Sequence, residues 1–135
     1  MTLNVLEKST LFVSGLTAFG IGGMITLAPH AFYASYGISI GDDPNLLSEL
    51  RAPGAGLLAM GLLMLLGIWR SALSQIAVAA TLVVFLAFPM GRLISLAIDG
   101  APSFGIFGAL ILEVAIAALC IFTFRRRLTQ PSIVA

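Results

Sequence analysis

The stretch SELRAPGAGLLAMGLLMLLGIW, residues 48–69, decides the fold. From Ala52 to Trp69 it carries no charge. As a helix, those eighteen residues rise about 27 Å, close to the thickness of a bilayer's hydrocarbon core. Yet Glu49 and Arg51 stand at the head of the run. A segment that reads as lipid-soluble begins with an acid and a base, and both the fold and the candidate site are read outward from that anomaly.

The rest of the chain has the same character. Of 135 residues, 59% are hydrophobic and 10% charged, where a soluble domain runs at roughly 45–50% and about 25%. Three further apolar runs cover about 11–28, 73–98 and 104–124, with turn chemistry between them at Pro29-His30, Gly41-Asp42-Asp43-Pro44, Arg70-Ser71 and Asp99-Gly100-Ala101-Pro102. The first run follows Glu7 and Lys8 without the basic head and cleavage site of a secretory leader, and reads as a retained anchor. Backbone polar groups cannot be left unpaired in lipid, so all four spans are expected to be helices. The chain is predicted to be all-α, a single four-helix transmembrane bundle over residues 1–135.

Four spans return the chain to its starting side, and charge selects that side. Lys8, Arg70 and the Arg125-Arg126-Arg127 tail fall together, opposite Asp42, Asp43 and Asp99. The positive-inside rule predicts both termini in the cytoplasm. The triple arginine reads as a topology anchor that could also recruit anionic lipid head groups. Phe32, Tyr33, Tyr36 and Trp69 sit where interfacial aromatics are expected. Ser14, Ala18 and Gly22 in the first span, Ala52 and Gly56 in the second, and Ala109 and Ala117 in the fourth have the small-residue spacing of close helix contacts.

Four ionisable residues fall inside the spans or at their edges: Glu49, Arg51, Arg92 and Glu113. Each costs roughly 2.5–3.5 kcal/mol at a helix centre, so each should face the bundle interior and find a partner. Helical rise brings Arg92 and Glu113 to similar depth, whereas Glu49 and Arg51, two residues apart, point to nearly opposite sides of one helix. Those two are expected to seek Arg92 and Glu113 on other helices. Arg92, Ser95 and Asp99 share a face at i, i+3 and i+7, extending a polar stripe toward the outer surface. The expected site is an outward polar cleft bounded by Glu49, Arg51, Arg92, Ser95, Asp99 and Glu113, with Pro53 and Pro89 freeing backbone carbonyls nearby.

In its SELRAPGAG and GRLISLAIDGAP segments and its intramembrane Glu113, the chain resembles a bacterial family of short four-span proteins known only as a domain of unknown function, akin to the DoxX-like group. The resemblance implies a four-helix bundle in a bacterial inner membrane. It implies no reaction and no ligand.

Several chemistries are excluded or unsupported. A formal charge of +1 offers no basic surface for nucleic acid. Cys120, the single cysteine, reads as small apolar filler, and His30, the single histidine, lies at the opposite end of the bundle, so neither a Cys-His pair nor a metal set is expected. Gly54-Ala55-Gly56 lacks the strand and the GK[ST] sequence of a phosphate loop. No cofactor is implied. Three readings remain: a non-catalytic protein that serves as an accessory subunit or binds a lipophile such as a quinone, isoprenoid or lipid; a membrane enzyme using Glu49, Asp99 and Glu113 as acid and base; and a proton-coupled transporter. Partners expected on these readings are the bilayer, a second copy or a larger membrane complex.

Overall fold

The computed structural model describes residues 1–130. Four long helices, α1 (Val5–Leu27), α3 (Pro44–Trp69), α4 (Ser71–Asp99) and α5 (Phe104–Thr129), are joined by tight turns and one short helix, α2 (Pro29–Ala34). No strand occurs among the described residues. All four long helices have the length and apolarity to cross a membrane, and the protein is a multi-pass membrane protein.

The helices run past the apolar segments, and local chemistry explains how far. Asn4 accepts from the Glu7 amide while the Glu7 carboxylate accepts from the Asn4 amide, a capping box that starts α1 before its apolar run. α3 begins at Pro44, well ahead of Ala52, because Asp43 caps it by accepting from the Asn45 amide and Pro44 suits the first turn. Pro53 therefore lies inside the helix and leaves the Glu49 carbonyl without its donor, as expected. Pro89 does the same for Phe85 in α4. Pro29 disfavours helical geometry at Ala28 and ends α1, but it also suits the first turn of α2, which the turn chemistry alone did not reveal. Gly100, at φ 95°, stops α4 with a backbone conformation that side chains resist.

Around the bundle, α1 packs on α3, α3 on α4, α4 on α5 and α5 on α1; α1 also meets α4 across the middle, whereas α3 and α5 make no close approach. The α1–α3 contact is backbone to backbone. A Cβ at Gly22 would lie 2.3 Å from the Leu58 amide nitrogen, and one at Gly61 would lie 2.3 Å from that of Phe19. Ser14, Ala18 and Gly22 are buried as their spacing predicts. In α3 the contact face is instead Gly54, Leu57, Gly61 and Met64. Ala52 and Gly56 are exposed, and Gly56 faces open space. Positions 54 and 56 are about 200° apart around a helix, so only one of them can meet α1. The outward surface stays apolar: Val83, Ile94 and Ile111 are 67%, 53% and 68% exposed, as suits a surface solvated by lipid.

Candidate functional site

Polar side chains join α1 to α5 over one half of the bundle. Nearest the termini, Arg127 clasps Glu7 with two hydrogen bonds, Nε to Oε1 at 2.5 Å and Nη2 to Oε2 at 2.9 Å, and also donates to the Thr2 carbonyl. One turn deeper, Thr10 and Thr123 hydroxyls meet at 2.9 Å, and beyond them Ser14 Oγ and Cys120 Sγ meet at 3.6 Å. The clasp puts the start of α1 and the end of α5 on one side of the bundle. Beyond Ser14 the helices part.

In the space that opens lies a cavity of about 200 Å³. Ala18, Ile21 and Ile25 of α1, Leu57 of α3, and Val84, Phe85 and Phe88 of α4 line its apolar wall. Phe32, Tyr33 and Tyr36, in α2 and the turn after it, roof it. The three rings brace one another edge to face, with centroids 5.2 Å apart for Phe32–Tyr33 and 5.0 Å for Phe32–Tyr36. Ser103, just before α5, donates to the Tyr36 carbonyl at 2.9 Å, and Gly105 lets α5 pass close to the Tyr36 ring. Burial raises the pKa of the Tyr33 hydroxyl, outweighing the opposing Arg92 charge, so the phenol stays protonated.

Two of the expected charges stand in the cavity wall. Arg92 Nε donates to Glu113 Oε2 at 2.8 Å, with the side chains 29% and 8% exposed. Only Nε is engaged, which leaves the four N–H groups of the terminal nitrogens free to donate, and among the described residues they bond to no other side chain. Arg92 also lines a groove of about 560 Å³ between α4 and α5, together with Phe88, Ser95, Leu96 and Ile106. Phe88, Arg92 and Ile106 are common to groove and cavity and form the partition between them.

The other predicted site residues line no part of the cavity. Ser95 donates to Asp99 at 2.8 Å, but Asp99 is exposed and lines neither space. Glu49 and Arg51 are exposed on α3, which does not approach α5. Arg51 answers the question of its own presence: its guanidinium donates to the Thr26 carbonyl, in the last turn of α1, where the helix dipole favours a cation. Glu49 makes no salt bridge among the described residues. Two members of the six-residue cleft, Arg92 and Glu113, are thus brought together at the cavity.

The clasp and the aromatic roof escaped sequence reasoning. Glu7 and Arg127 lie at the span ends, where charges need no special partner, and 120 residues separate them. A signal existed in the 3–4 spacing of Glu7, Thr10 and Ser14, which puts three polar groups on one face of an otherwise apolar helix. His30 is exposed, with Nε2 2.7 Å from the Gly41 carbonyl and 3.1 Å from Asp42, and the described residues contain no metal-binding cluster.

Fold and cavity together define a small polytopic helical membrane protein with an ion pair in the wall of an apolar chamber. The chain belongs to the family described as a domain of unknown function, DUF4345, matched over residues 6–124, a span that contains the cavity and both members of the Arg92–Glu113 pair. No curated protein and no solved structure matches it.

Proposed function

We propose that the protein binds a lipophilic molecule whose uncharged, oxygen-bearing head enters the cavity and accepts hydrogen bonds from Arg92. The observation that carries this reading is an apolar chamber with one guanidinium in its wall and unused N–H groups on that guanidinium. Intramembrane charges are costly enough to be site candidates by default. Glu113 already neutralises Arg92, which favours a ketone, quinone or ester carbonyl over a free acid. A space of about 200 Å³ is smaller than the roughly 300–1,000 Å³ of ordinary ligand pockets, so it suits a head group alone. The tail leaves past Phe88 and Ile106 into the α4–α5 groove and the bilayer.

The carboxylates required for acid and base catalysis do not favour an enzyme. Glu113 is occupied by Arg92, and neither Glu49 nor Asp99 lines a space that Arg92 lines. We take the protein to be a bacterial inner-membrane protein akin to the DoxX-like group, with both termini and Arg70 cytoplasmic, on the strength of its motifs and its segregated charges. The cavity then lies toward the outer leaflet.

Native mass spectrometry of protein purified from its own membrane tests the binding. The parent and Asp99→Asn should carry a neutral lipophile, and Arg92→Gln should retain it at least about tenfold less, the effect of losing about 1.4 kcal/mol of charge-assisted hydrogen bonding. A parent without such a molecule, or an Arg92→Gln protein that retains it fully, refutes the reading.

A further inference from the structure

The arginine tail divides into two parts with different work. Arg127 is committed to Glu7, which is the only acid at this end of the bundle among the described residues. Arg125 and Arg126 are exposed and have no carboxylate partner among the described residues. Both line a separate pocket of about 240 Å³ between the start of α1 and the end of α5, together with Asn4, Leu6, Phe122 and Thr123. The Asn4 side-chain oxygen is used in the capping box, which leaves the amide N–H groups of this lining residue unused. Arg125 lies over the Phe122 ring, 4.2 Å from its centroid, a contact that fixes where its charge is held. The apolar members face outward: Leu6 is 45% exposed and Phe122 56%.

We propose that this pocket binds the head group of an anionic phospholipid. Two unpaired guanidiniums and an amide offer donors to a phosphodiester, which arginine can engage through paired N–H groups. Leu6 and Phe122 adjoin the position where the first acyl carbons would lie, so the polar and apolar halves of the pocket match the two halves of a lipid at the membrane interface. Nothing here depends on the Arg92 cavity, which lies at the other end of the bundle.

The test is native mass spectrometry of the full-length protein with phosphatidylglycerol and phosphatidylcholine of identical chains, offered together. Phosphatidylglycerol should be retained preferentially. Each basic residue near an anionic surface is worth about fivefold in affinity, so Arg125→Gln/Arg126→Gln should lower phosphatidylglycerol retention about 25- to 30-fold. Arg70→Gln, which removes a charge at the same end but outside the pocket, should leave it unchanged. Equal retention of the two lipids, full retention by the double variant, or an equal loss in Arg70→Gln would overturn the proposal. Displacement of the lipid by inorganic phosphate in about 100-fold excess would show that the pocket recognises a free phosphate, and would overturn its assignment to a lipid.

Discussion

Replacing Arg92 alone should destabilise the bundle more than replacing Arg92 and Glu113 together. At 2.8 Å, two unit charges attract by about 6 kcal/mol at an effective dielectric of 20, and the desolvation of both groups offsets most of that. Removing one partner cancels the attraction and leaves the desolvation, which puts the cost of a single replacement at about 3–5 kcal/mol. The two singles should differ. Arg92→Met strands a carboxylate whose side chain is 8% exposed, at the upper end of that range. Glu113→Leu strands a guanidinium that is 29% exposed and already reaches the α4–α5 groove, so its cost should fall toward about 2–3 kcal/mol. The apolar pair Arg92→Met/Glu113→Leu should lie within about 1–2 kcal/mol of the parent. SDS titration in mixed micelles, followed by the near-ultraviolet dichroism of the Phe32–Tyr33–Tyr36 cluster, measures all four proteins. Additive single losses, with a coupling below about 0.5 kcal/mol, would refute the pairing and with it the account of the cavity wall.

Two further outcomes follow from packing and charge. Gly61→Ala puts a methyl group 2.3 Å from a backbone nitrogen of α1 and should cost about 1–3 kcal/mol in the same titration, whereas Gly56→Ala, in open space, should be neutral or stabilise by up to about 1 kcal/mol. Reporter fusions at either terminus and at Arg70 should report the cytoplasm, and an external signal from any of them would reverse the orientation.

How much of this was legible in the sequence differs by element. Long apolar runs, two of them interrupted by a single charge, give the four spans, because in lipid only a helix closes its own hydrogen bonds. The Arg92–Glu113 pair was legible from depth alone, since two antiparallel neighbours joined by the short Gly100–Ser103 turn bring residues at equal height together. The partner of Arg51 was not legible, for the opposite reason. Its partner is a main-chain carbonyl, and no residue type at position 26 announces a free carbonyl at a helix end. Glu49 is exposed near the start of α3, ahead of the apolar run, where a charge needs no partner. The phase of the α1–α3 contact was invisible because Gly54 and Gly56 offer equally small faces, and helix rotation about its axis is set by neighbours rather than by composition.

The cavity follows from how α5 is held. Between apolar helices in a bilayer there is no hydrophobic drive to association, so close packing and polar contacts must supply it. α1 and α3 use the first means, interlocking backbones at Gly22 and Gly61. α5 adds the second to the core packing of Ile116 and Phe124: Glu7–Arg127, Thr10–Thr123 and Ser14–Cys120 bind it to α1, and Arg92–Glu113 binds it to α4. The three contacts with α1 occupy successive turns at one end, and the Arg92–Glu113 pair lies beyond them. Past the last of those contacts, α1 and α5 face each other across the chamber lined by Ala18, Ile21 and Glu113. An apolar pair in place of Arg92 and Glu113 could hold α5 equally well. What it could not supply is a guanidinium whose terminal N–H groups remain unused in the wall of that chamber, and this is why the ion pair is proposed as part of a binding site as well as a fastening between two helices.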